Sequence, residues 1–100
     1  MIKHKFNAKL TELHGIKFSS KKEANYYLQL LLRQKAGEVL FFLRQIPIHL
    51  DAGIKYIVDF QVFKSDGTVE FIDVKGMKTP IYILKKKLVE NKYPFTIIEV

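Results

Sequence analysis

The chain has 100 residues, 48% of them hydrophobic, and its 17 Lys and Arg outnumber its 10 Asp and Glu for a formal net charge of +7. That much apolar surface excludes a disordered basic tail, and the length allows one core, without room for separate cofactor and catalytic domains. The charge excess points to an anionic partner, most simply nucleic acid, although many small soluble proteins are basic without one.

Residues 1–19 read as a basic arm. Lys3, Lys5, Lys9 and Lys17 stand here with His4 and His14, Gly15 breaks the stretch, and one short strand is expected at 16–18. Ser20-Lys21-Lys22-Glu23 has the S-x-x-E pattern of a helix capping box. Ala24, Tyr27, Leu28, Leu31 and Leu32 follow at helical spacing, so a helix is predicted over 21–36, stopped by Gly37, with its apolar face centred near Leu31. Residues 39–50 read as extended, and Pro47, lacking an N–H, marks this strand as an edge or an interrupted one. Two strands are expected at 54–63 and 69–75. They are joined either by a two-residue Asp66-Gly67 turn or by a three-residue loop with Gly67 left-handed. Thr79-Pro80 reads as N-cap and first helical residue, and Ile81, Leu84 and Leu88 make an apolar stripe running to about Asn91. A last strand is expected at 95–100. The order α-β-β-β-α-β predicts an α/β fold with a mixed central sheet flanked by helices, a single domain over 1–100.

Several familiar sites are absent. The sequence holds no phosphate-binding glycine loop, dinucleotide fingerprint, H-E-x-x-H or nucleophile elbow. It has no cysteine, which excludes disulfides, thiolate zinc sites and a cysteine nucleophile. His4, His14 and His49 lack metal-ligand spacing. No apolar run approaches the ~20 residues of a membrane helix, and the opening residues carry charge without a following apolar core, so a cytoplasmic protein without a signal peptide is expected.

What stands out is acid inside apolar strands. Asp59 interrupts Tyr56-Ile57-Val58-Asp59-Phe60, while Asp73 and Lys75 interrupt Phe71-Ile72-Asp73-Val74-Lys75. Charge placed there is costly unless paired or metal-bound. The three-residue loop sets Asp59 opposite Asp73 on one face, roughly 5 Å apart at Cβ. The two-residue turn sends them to opposite faces. Facing carboxylates repel, and a divalent cation removes the repulsion; an oxygen-only pair suits Mg²⁺. Lys75, two residues beyond Asp73, points the same way and suits a role on the attacking water or on phosphate charge. The sum is metal-assisted phosphodiester hydrolysis. The plainer reading is an ion-paired group on a half-exposed face. Glu23 is either a further acid of this site or simply a helix cap. Lys85 leans to the apolar side of its helix, toward a phosphate or over core surface, with Lys86 and Lys87 outward. Tyr82 borders that stripe, either packing or contacting DNA.

The acid on one strand followed by acid-x-Lys on the next resembles the PD-(D/E)XK nuclease superfamily, whose restriction-endonuclease-like core has the same α-β-β-β-α-β order. Asp59 matches its first acid and Asp73-Val74-Lys75 its second part, with Val58 where that family often has Pro. Glu23 matches the acid many members carry on the first helix. The stretches Gly15-Ile16-Lys17-Phe18-Ser19-Ser20-Lys21-Lys22-Glu23-Ala24, Tyr56-Ile57-Val58-Asp59-Phe60, Asp73-Val74-Lys75-Gly76 and Lys78-Thr79 are similar to those of small phage-encoded proteins of uncharacterised function. The resemblance implies a Mg²⁺-dependent DNA endonuclease, with Mn²⁺ able to substitute. Asp59, Asp73, the Val74 carbonyl and Glu23 would bind metal, and Lys75 would act on water. Lys85, Lys78, Lys17, Lys22 and Tyr82 would be candidate DNA contacts. Junction-resolving relatives imply branched DNA, a flap or a nick-prone duplex as substrate, and a homodimer. The alternatives are a catalytically inactive nucleic-acid-binding subunit with the same fold, or an interaction protein whose charges are simply solvated.

Overall fold

The computed structural model describes residues 11–100; the expected arm lies outside the described residues up to residue 10. Two short antiparallel strands, β1 (Thr11–Leu13) and β2 (Ile16–Phe18), turn at His14-Gly15. The strand expected at 16–18 is therefore present, and a second one pairs with it. Phe18 is 1% exposed, so the last part of the expected arm belongs to the core.

Helix α1 (Lys21–Lys35) starts where the capping pattern places it, with the Ser20 Oγ accepting from the Glu23 N–H at 3.0 Å. It ends on a Schellman turn. Gly37 takes φ +89°, which costs an L-residue strain, and lets Glu38 N–H reach the Arg33 carbonyl (3.0 Å) and Gly37 N–H reach Gln34 (3.1 Å). The buried stripe is Glu23, Ala24, Tyr27 and Leu30. This corrects the expected centre at Leu31. Leu28 and Leu32 are exposed, Leu32 by 67%. The run Leu30-Leu31-Leu32 offers every azimuth, so periodicity alone does not choose among them. Contact with Phe18, Phe60 and Val62 chooses Leu30.

Strands β3 (Val39–His49), β4 (Lys55–Lys64) and β5 (Val69–Asp73) form an antiparallel meander, and β6 (Ile97–Glu99) adds parallel to β5 through helix α2 (Pro80–Lys92). The order β3-β4-β5-β6 puts β3 at an edge, where Pro47 needs no ladder partner for a missing N–H. The β4–β5 connection is the three-residue loop. Lys64 N–H donates to the Thr68 carbonyl (2.9 Å), Gly67 sits at φ +90°, and Phe63 faces Val69 and Gln61 faces Phe71. Strand β5 ends at Asp73, two residues before the expected end. The fold is thus α/β with a mixed four-stranded sheet and two helices, in the expected order after the small N-terminal pair.

Two buried clusters share this sheet. One joins α1 to Phe60, Val62, Ile72 and Val74; the other joins Tyr82 and Val89 of α2 to Ile48, Tyr56, Val58 and Ile97. Along β4 the division falls between Val58 and Phe60, at Asp59. Helix α2 begins on its expected cap, with Thr79 Oγ1 accepting from Tyr82 N–H at 3.1 Å. Its expected inward stripe is corrected, because Ile81, Leu84 and Leu88 are exposed by 61, 53 and 43%. Polar anchoring explains the rotation. Tyr82 Oη–H donates to Glu99 at 2.6 Å and Lys86 lies 4.0 Å from Glu99, contacts that tie this face of α2 to β6. Lys86, expected outward, is half-buried as a result. Among the described residues no helix is long and apolar enough to cross a membrane.

Leu30 is fully buried and Leu32 is not, so Leu30→Ala is expected to cost about 2–5 kcal/mol and Leu32→Ala less than about 0.5 kcal/mol. Urea unfolding monitored by circular dichroism checks both, and the opposite ranking would restore the face centred on Leu31.

Candidate functional site

The three-residue loop carries the register to the end of the hairpin, where Asp59 and Asp73 meet. There the ladder gives way to side chains. Asp59 N–H donates to Asp73 Oδ1 at 3.0 Å, and Val74 N–H donates to Asp59 Oδ2 at 2.8 Å. Each carboxylate thus caps the other strand's backbone. Tyr56 Oη–H donates to Asp73 Oδ2. The two acids thus meet across the end of the hairpin, one step beyond the last ladder pair, Phe60 with Ile72.

Asp73 is 0% exposed, and among the described residues no cationic side chain forms an ion pair with it. Burial pushes its carboxyl above the ordinary value, with the Asp59 N–H bond and the Lys75 charge pulling the other way and Glu99 and Glu23 adding to the rise. Asp73 ends β5 next to Glu99 at the end of the parallel strand β6. In open α/β sheets the carboxyl ends of parallel strands are where ligands bind.

Glu23 is 3% exposed. It does not complete the capping box; its Oε1 instead accepts from Ser19 Oγ–H at 2.9 Å and its Oε2 from Gln45 Nε2 at 3.1 Å. Gln45 Nε2 also meets Asp59 Oδ1 at 3.4 Å. Glu23 is therefore tied to Asp59 through an amide. Among the described residues no three His, Cys, Asp or Glu side chains are gathered closely enough to hold a metal. Arg44 Nη2 lies 3.7 Å from Glu23 Oε2, its guanidinium sits over the Phe18 ring at 4.6 Å, and its buried Nε has no hydrogen-bond partner.

Lys75 lies just past β5. Its N–H donates to the Val100 carbonyl at 3.3 Å and its Nζ sits 4.8 Å from the Tyr82 ring centroid. Lys22 Nζ donates to the Lys75 carbonyl at 3.2 Å, so this candidate DNA contact borders the site. Lys17 lines a cleft with Ser19, Glu23, Arg44 and Gln45. Lys78 pairs with Glu99 at 3.0 Å, and Lys85 donates to the Lys55 carbonyl at 3.3 Å at the start of β4. Tyr82 is corrected as a DNA contact. It is 8% exposed, its hydroxyl is held by Glu99, and burial with that bond raises its pKa far above the usual phenol value. The Tyr82 hydroxyl and Lys78 in turn hold Glu99 below the ordinary carboxylate value.

The donor set suits a hard cation. Asp59 and Asp73 each accept from the other strand's backbone, Asp73 is fully buried without an ion pair among the described residues, and the Val74 N–H is held on Asp59. Sequence reasoning missed Tyr56, Arg44, Gln45 and Glu99. Signals existed for all four. Arg44-Gln45 interrupts an apolar strand as Asp59 does, Tyr56 falls on the inward alternation of β4, and Glu99 follows two isoleucines in the last strand.

Fold and site together define a class: a small α/β protein with paired carboxylates at the carboxyl end of a mixed sheet. The chain belongs to the family described as "Protein of unknown function (DUF1064)", whose model matches residues 3–98. No curated protein shows a significant match, and neither does any solved structure.

A carboxyl whose pKa is raised by folding binds its proton more tightly in the native state. Stability is then fully present below the unfolded value and falls as pH rises through the folded one. Asp73→Asn removes that loss, so in metal-free buffer it is expected to melt above the wild type at pH 7, with the gap closing toward pH 3. A variant melting below wild type at pH 7 would show that the Asp73 charge is already compensated.

Proposed function

We propose that the protein is a Mg²⁺-dependent DNA endonuclease of the PD-(D/E)XK type that hydrolyses phosphodiester bonds, with branched DNA as the favoured substrate. One observation carries the reading: Asp59 and Asp73 exchange backbone hydrogen bonds at the end of the hairpin, with Asp73 fully buried and without an ion pair among the described residues. Burying an uncompensated charge costs several kcal/mol on the usual order, a cost a bound divalent ion offsets.

Asp59 and Asp73 would hold the ion, with the Val74 carbonyl, and with Glu23 directly or through water. When bound, Mg²⁺ would supply positive charge to the phosphate and make a coordinated water more acidic. The remaining work falls to the chain. Asp59 and Val74 N–H groups fix the orientation of the acids before substrate arrives. Lys75, whose ammonium rests on Tyr82, orients the attacking water or neutralises charge growing on the phosphate. Lys22, Lys17 and Arg44 line the approach and hold flanking phosphates, which makes binding salt-dependent. Lys78, beside Glu99, and Lys85, beside the Lys55 carbonyl, are further phosphate contacts. Cutting two strands calls for two copies of the site, so a homodimer is part of the proposal.

A second reading has its own support. The reciprocal caps occupy an oxygen of each acid and both oxygens of Asp73, as a structural role alone would also require. Such a protein would bind nucleic acid without cutting it.

A panel of Holliday junction, flap, nicked, duplex and single-stranded DNA separates the two. Cleavage is expected with Mg²⁺ or Mn²⁺, lost on chelation, and reduced about 100-fold or more by Asp73→Ala and by Lys75→Ala. Undiminished cutting by both variants refutes the residue assignments. Salt-sensitive binding without metal-dependent cutting of any substrate establishes the second reading.

A further inference from the structure

Gln45 lies inside β3 with φ +52°, a left-handed conformation that an L-residue with a long side chain rarely adopts. Strain of this kind persists only where the surroundings over-determine it, and it concentrates at functional sites. Its side chain supplies the reason. The Nε2 group reaches Glu23 Oε2 at 3.1 Å and Asp59 Oδ1 at 3.4 Å, between an acid on α1 and an acid on β4. Gln45 itself is exposed, so this position opens to solvent while Glu23 lies behind it.

We propose that Gln45 is a latch. Its carboxamide donates to Glu23, which Arg44 also approaches at 3.7 Å, and to Asp59, and it yields those oxygens when a divalent cation binds. The inference rests on the metal-dependent reading above. A carboxamide N–H₂ has two donors and no net charge, so it satisfies two carboxylates geometrically while holding them more weakly than a cation does. Bonds present only in the metal-free state oppose binding by their own free energy. The amide reaches into the gap from β3, where residue 45 stands cross-strand from Asp59, since Arg44 faces Phe60 and Ile46 faces Val58. The latch ties Glu23 to Asp59 before metal arrives.

The test is calorimetric titration of the full chain with MnCl₂, alongside thermal melts with and without metal. Gln45→Met keeps the volume and cannot donate; Gln45→Ala is the second variant should the first fail to fold. Either variant is expected to bind Mn²⁺ about 5-fold or more tightly than wild type, to melt lower than wild type without metal, and to recover most of that gap at saturating Mn²⁺. Mn²⁺ binding by wild type that is equal or weaker in the Gln45 variants overturns the latch alone. No Mn²⁺ binding by wild type, or binding that Asp73→Asn leaves intact, overturns the metal reading and the latch with it.

Discussion

The structure depends on an exchange of hydrogen bonds between two acids and each other's backbone. Asp59 N–H donates to Asp73 and Val74 N–H donates to Asp59, at 3.0 and 2.8 Å. Hydrogen bonds to charged acceptors are worth about 1.5–3 kcal/mol each, enough to hold β4 and β5 together beyond their last ladder pair. The exchange works only in the register set by Ser65-Asp66-Gly67, because a one-residue slip would send the acids to opposite faces. A turn at one end of the hairpin thereby determines the chemistry at the other.

The position of that pair follows from how the core is divided. Tyr56 and Val58 pack with α2, Phe60 and Val62 with α1, and Asp59 falls at the seam. Each helix contributes a polar side chain beside the seam. Helix α1 brings Glu23, bound through Gln45, and α2 brings Tyr82, which supports Lys75 on one side and holds Glu99 on the other. At the seam Asp73 finds the Tyr56 hydroxyl and the Asp59 amide. It is still raised in pKa by burial, so the site is satisfied in hydrogen bonds and undercompensated in charge.

Much of this was legible in the chain. The caps at Ser20 and Thr79, the edge strand marked by Pro47 and the order of elements follow from local chemistry, because each signal acts within a few residues. Asp59, Asp73 and Lys75 were legible as charges interrupting apolar strands. The faces of both helices were not. The run Leu30-Leu31-Leu32 presents apolar groups on every side, and the outward stripe Ile81, Leu84 and Leu88 is more hydrophobic than the inward Tyr82. Glu99 settles α2 by binding Tyr82 and Lys86, and Glu99 lies beyond the helix in sequence.

By itself the sequence determined the class of fold, the paired acids and the two registers in which they could lie, since strand alternation and turn chemistry are local. Tertiary structure alone decided between those registers. It also withdrew Glu23 from its cap to join Gln45, buried Tyr82, and placed a strained Gln45 between two acids. Those outcomes depend on groups far apart in the chain arriving at one seam, where burial and charge are set jointly by α1, the hairpin and α2.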